Sequence, residues 1–142
     1  MADLSTVDPV AIVLAHLQAH PTVLQAFGGA THISGLAEAP WPHLRITDGQ
    51  GGDLRNLLWT TEQEVTFECY GAPAQASSEG EVRRLLMLAM QACKELEERA
   101  VTAQDPVVSG VEPSGVLINQ QLQNGQYRIT SGLLLTLHPG PG

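Results

Sequence analysis

The spacing of apolar residues changes along this chain, and each change predicts an element. Val10, Val13, Leu14 and Leu17 fall on one face of a helical repeat. Asp8 followed by Pro9 suits the start of that helix, because the carboxylate accepts from exposed amides and proline at the first helical position forfeits no hydrogen bond. Pro21 stops it. Thr22 is then the cap expected for a short second helix through Phe27, and Gly28 and Gly29 allow a left-handed exit. The expectation is an N-terminal helical hairpin.

Leu44 to Thr47 reads as a short strand running into a long, flexible glycine-rich loop from Asp48 to Asn56. From Leu57 to Tyr70 the pattern becomes that of a long strand, with Val65, Phe67 and Cys69 alternating with Glu64, Thr66 and Glu68. One face should be buried and the other acidic. Ser78 and Glu81 have the spacing of a capping box, so a helix should begin near Glu79. Val82, Leu86, Ala89, Cys93, Leu96 and Ala100 carry its apolar stripe, widened by Leu85, Leu88 and Ala92, while Arg83, Arg84, Lys94, Glu95, Glu98 and Arg99 lie on the opposite side. The intervening segment GAPAQASS supplies no acid, base or cation and reads as a joint. Asn124–Gly125 separates two β-patterned runs and suits the positive backbone angles of a tight turn. Tyr127, Ile129, Leu133, Leu135 and Leu137 alternate on the last strand, before a tail expected to fray from about residue 139.

These elements predict an α+β fold: a mainly antiparallel sheet of about four strands packed against a long helix, with the helical hairpin in front. The 142 residues, 43% hydrophobic, suit a single domain over residues 1–142. A formal net charge of -8 with only seven Lys plus Arg argues against a basic grip on nucleic acid. Cys69 and Cys93 fall on inward stripes and read as reduced, buried thiols in a reducing cytoplasm. The N-terminus lacks a basic leader and cleavage site, and no apolar run approaches about 18 residues. A protein neither secreted nor membrane-spanning is expected.

Candidate chemistry is sparse. His16 and His20 have a metal-compatible spacing, but a third ligand is needed and none is near in sequence. They read as polar residues flanking a buried stripe, and His32, His43 and His138 are scattered. The glycines at 49, 51 and 52 lack the Lys-Ser/Thr of a phosphate loop. Cys69 beside Phe67 reads as a packed thiol rather than a nucleophile. Glu62, Glu64 and Glu68 share one solvated face, which gives nothing to separate acid from base roles. No catalytic, cofactor-binding or metal-binding residue is assigned, and no cofactor is expected.

The element order resembles the tail terminator and tail completion proteins of long-tailed bacteriophages. DPVAIVLAHLQAHPTV, FGG, PHLRIT, EVTFECYG, EVRRLLMLAMQACKEL and NGQYRITSGLLLTL carry the likeness over nearly the whole chain. It implies a non-enzymatic structural protein that forms a hexameric ring on the end of the tail tube, ends tube polymerisation and meets the head-side connector, or stopper, protein. DNA would pass through the ring without sequence-specific binding, and no membrane is involved. The protein would belong to the tail-neck region of the virion, after assembly in the host cytoplasm. The candidate channel or subunit surface is Glu64 and Glu68, with Arg83, Arg84 or Arg99 of the next subunit as cationic partner. Gly49, Gly51, Gly52 and Asp53, together with Asn124 and Gly125, are the candidate projections toward tube or connector, ordering only on assembly. Another neck protein of head completion or stopper type is the near alternative, and a small enzyme or ligand-binding domain the distant one.

Overall fold

The computed structural model describes residues 8–53, 61–74, 76–98 and 107–138, with backbone alone at 50–53 and 61. Helix α1 (Pro9–Gln18) starts as its sequence requires, with the Asp8 carboxylate accepting from the Ala11 amide at 3.2 Å. Helix α2 (Pro21–Phe27) turns away from it through 79°, which makes a corner rather than an antiparallel hairpin. Its cap is His20, not Thr22: Nδ1 of His20 accepts from the Val23 amide at 3.4 Å. Pro21 thus opens the second helix as well as following the first. Gly28 ends α2 at φ 107°, a conformation that a side chain would strain. No single helix is long and apolar enough to cross a membrane among the described residues.

A one-turn 3-10 segment (Ala30–His32) leads to β1 (Ile33–Ser34), followed by β2 (His43–Asp53) and β3 (Thr61–Tyr70). Helix α3 (Glu79–Cys93) begins where expected, with Ser78 Oγ accepting from the Glu81 amide at 3.2 Å, and tightens into a 3-10 segment (Lys94–Glu98). Strands β4 (Val107–Pro113), β5 (Ile118–Gln121) and β6 (Tyr127–His138) complete the order.

The α+β class holds, with six strands among the described residues where alternation predicts about four. They run β1-β2-β3-β6-β4, β5 also pairing with β6, and every pair but β1–β2 is antiparallel. Strand β1 is two residues long, too short to show a period, and the single β-patterned run before Asn124 divides into β4 and β5. The region expected as a loop from Asp48 is strand as far as Asp53. Between Asp48 and Gly52 the partner positions move from Val65 to Gln63, so four steps on β2 face two on β3 and the extra residues form a bulge. Residues 54–56 of the expected loop, the predicted strand start at 57–60, Ala100 and the tail from 139 lie outside the described residues.

Helices α1, α2 and α3 cover one sheet face. Val13, Leu17, Val23 and Phe27 from the first two helices meet Val82, Leu86, Ala89 and Cys93 from α3, and all pack with Ile46, Val65, Phe67, Cys69, Ile129 and Leu135 in one buried cluster. Cys69 and Cys93 are free and buried, as the inward stripes predict. Burial pushes both thiols up to about 12, with Glu95 adding to the effect at Cys93. The GAPAQASS segment is a joint in the literal sense. Gly71 donates to Tyr127 O at 2.9 Å, Gln126 Nε2 returns to Gly71 O at 2.7 Å, and the Ala72 amide donates to Ser77 Oγ at 2.9 Å.

Candidate functional site

The sheet face away from the helices is the surface on which the predicted acidic residues stand. Antiparallel registry sets Arg45 of β2, Glu68 of β3 and Thr130 of β6 in one row, with Arg128 two residues along β6, opposite Tyr70. Arg45 Nη1 donates to Glu68 Oε1 at 2.8 Å, Arg128 Nη1 lies 3.7 Å from Glu68 Oε2, and Tyr70 Oη donates to the same oxygen at 3.2 Å. Arg128 also donates to Gln120 of β5. Only 12% of the Glu68 side chain is exposed. The expected solvated acidic face is therefore mixed: the cations that neutralise Glu68 come from the neighbouring strands of its own chain.

Glu64 sits further along β3, opposite Leu134, and its side chain lies over Gly49 of β2. A Cβ at Gly49 would stand 2.8 Å from Cβ of Glu64, so this glycine gives space to the acid instead of ending a free loop. Gly51, Gly52 and Asp53 follow in the bulged end of β2. Arg83 and Arg84 are exposed on α3, in the opposite layer from Glu64 and Glu68, and Arg83 pairs with Glu79 one turn earlier at 2.9 Å. Arg99 lies outside the described residues.

Asn124 and Gly125 form the β5–β6 turn, closed by Leu122 N to Gln126 O at 2.8 Å and Gly125 N to Leu122 O at 3.0 Å. Gly125 alone has a positive φ, 80°, where the dipeptide predicts two such residues. The turn is also docked: Ala74 N donates to Asn124 O at 2.8 Å, and the Asn124 side chain accepts from the Gln126 amide at 3.0 Å. It is a buttressed corner in the isolated chain, not an arm awaiting order.

An apolar groove of about 290 Å³ runs between α3 and β4, floored by Met90, Val111, Pro113 and Leu133, with Met87 49% exposed beside it. Its polar rim is already committed. Lys94 Nζ contacts Glu97 at 2.8 Å, Glu112 at 3.3 Å and Val111 O at 2.9 Å, while Glu97 accepts from the Val111 amide at 2.7 Å. Lys94 and then that amide hold the Glu97 carboxyl below its ordinary range. The same contacts seal part of the β4 edge against strand addition.

Two histidine sites emerge. His43, fully buried at the start of β2, contacts Ser34 Oγ at 2.8 Å and Pro40 O at 3.3 Å, and burial lowers its pKa. A carbonyl only accepts, so Nδ1 carries the hydrogen and Nε2 accepts from Ser34. His16 and His20 are joined by Glu95, which the fold brings from the 3-10 segment that follows α3. His20 Nε2 lies 2.7 Å from Glu95 Oε2, His16 Nε2 lies 3.6 Å from it, and His16 Nε2 also donates to Ala92 O at 2.8 Å. Arg45, Arg128 and Glu95 are the residues that reading the sequence misses. For each of them, only strand registry or helix packing supplies the partner described here.

No protein-family profile matches the chain, and no curated protein does. Among solved structures it is similar to a chain of the virion of a native gene transfer agent (GTA) particle, at a TM-score of 0.66 and 10% sequence identity, covering 93% of this chain and 99% of that one. The fold described here is thus one found, almost end to end, in a virion component.

Proposed function

We propose that this chain is a structural protein of a phage-type virion and serves as its tail terminator. Identical subunits form a ring, hexameric as the tail terminator resemblance implies, that caps the tail tube, stops its polymerisation and receives the head-side connector protein. The observation that carries this reading is the likeness of fold to a virion chain over 93% of this sequence.

The geometry suits that role. The sheet face away from the helices carries more acids than bases along β3, and with a formal net charge of -8 the chain suits a wall that does not hold a passing duplex. Arg83 and Arg84 on the exposed side of α3, Arg99 beyond it, and the groove beside Met87 are the surfaces proposed for the neighbouring subunit. The bulged end of β2, with Gly49, Gly51, Gly52 and Asp53, and the corner at Asn124–Gly125 are the surfaces proposed for tube or connector. Assembly of this kind needs no catalytic residue. The ring would form in the host cytoplasm and remain in the neck of the virion.

Mass measurement of the purified chain, followed by electron microscopy with tail tubes, tests the reading. Rings seated at one tube end support it. A chain that stays monomeric with tubes present, or binds only at the portal side of the head, overturns it.

A further inference from the structure

We propose that His16, His20 and Glu95 form a zinc site that fastens the α1–α2 corner to the 3-10 segment that continues α3. The three donor atoms all lie within 4.8 Å of one another although Glu95 is 75 residues beyond His20. Zinc bonds of about 2.0–2.2 Å in a tetrahedron need donors roughly 3.3–3.6 Å apart. The two separations from Glu95 Oε2, 2.7 and 3.6 Å, lie around that range, and the ion enters when the Glu95 carboxylate rotates and the His16 ring turns its Nε2 away from Ala92 O, 2.8 Å from it. The Glu95 side chain is 57% exposed, so water can reach the site to complete the shell.

The hydrogen bonds already present allow the exchange. In the metal-free chain both Nε2 atoms carry hydrogen, since His16 donates to the Ala92 carbonyl and His20, with Nδ1 accepting from Val23, donates to Glu95. Zinc at Nε2 moves each ring hydrogen to Nδ1, so both imidazoles stay neutral and no proton has to leave the site. Ala92 O keeps a donor, because the Lys94 amide also bonds to it. The contact given up at His20 Nδ1 is the long one, 3.4 Å from Val23 N. Two nitrogens and one carboxylate oxygen favour zinc over magnesium or calcium, which take all-oxygen shells. Neither cysteine competes, as both are buried and their thiols are pushed up to about 12.

The test uses the full chain, stripped with chelator and titrated with zinc by calorimetry in excess magnesium. One zinc per chain is expected, with a rise in melting temperature. His20→Gln and Glu95→Gln, each checked for folding by circular dichroism, should weaken binding at least tenfold, and His138→Gln should leave it unchanged. Cobalt in place of zinc should give the visible absorption of a tetrahedral nitrogen and oxygen site without thiolate bands. Absence of saturable binding, or binding equally strong in folded His20→Gln and Glu95→Gln chains, overturns the proposal.

Discussion

Arg45 on β2 donates to Glu68 on β3 at 2.8 Å, across adjacent strands on the open face of the sheet. With Arg128 approaching from β6, a carboxylate that sequence alone assigns to an assembly surface becomes part of the protein's own internal bracing. Removing one partner strands the others. Glu68→Ala should therefore destabilise the monomer by about 1–3 kcal/mol in urea unfolding, the cost of leaving partly buried polar groups unpaired. Arg83→Ala, which breaks only an exposed pair with Glu79, should change stability by less than about 0.5 kcal/mol. Equal effects at the two sites would contradict the assignment.

Phe67 of β3 and Leu86 of α3 belong to the same buried cluster, and neither has exposed surface. Truncating either to Ala should cost on the order of 2–5 kcal/mol, from lost burial plus the cavity left behind. Equilibrium denaturation measures this, and losses below about 0.5 kcal/mol at both positions would show that the burial is misassigned.

Gly71 has no room for a side chain. A Cβ there would stand 2.7 Å from Val82 Cγ2 and 2.9 Å from Ser77 Cβ. Gly71→Ala should force the joint away from α3 at about 1–3 kcal/mol, the usual range for overpacking. Faster hydrogen exchange at the residue 71 amide should accompany it, since its bond to Tyr127 O and that of Gln126 Nε2 to Gly71 O tie the joint to the start of β6.

The buried thiols give a pH dependence with a definite sign. Folded, both titrate near 12, against an ordinary value of 9.0 once unfolded. Between these values the unfolded chain releases protons that the folded chain retains, so the stabilisation is complete below pH 9 and is lost as pH rises toward 12. Denaturation midpoints from neutral to alkaline pH should fall less steeply in a Cys69→Ala, Cys93→Ala chain than in the parent. Thiol labelling of the native parent should be slow throughout the neutral range, and rapid labelling would disprove the burial.

Acid should weaken the segment before β2. His43 is buried neutral, its pKa lowered chiefly by burial, and its ring joins Ser34 to Pro40. The unfolded chain binds the proton more readily, so this contribution is present above the ordinary value of 6.5 and lost as pH falls through the lowered one. The His43 ring resonances, followed by NMR, should titrate below those of an exposed histidine; titration above 6.5 would show the ring is not held this way.

Local patterns in the sequence determine much of this fold. Asp8 and Ser78 cap their helices because a short polar side chain before an apolar repeat satisfies amides within its own turn. The alternation of Val65, Phe67 and Cys69 fixes which face of β3 is buried, since a slip of one residue would send all three into water. The bulge in β2 is not visible in this way: glycine at 49, 51 and 52 reads equally well as a loop, and it takes the pairing with β3 and the bulk of Glu64 to make it strand. The partners of lone charges are likewise decided in three dimensions. Arg45 and Glu68 are 23 residues apart, and His20 and Glu95 are 75 apart, so nothing local in the chain connects them. Their meeting depends on strand registry and on where α3 lies across the sheet. Periodicity carries the sorting of residues between core and water because that is a property of each element alone, whereas the pairing of polar groups is a property of how elements are placed against one another.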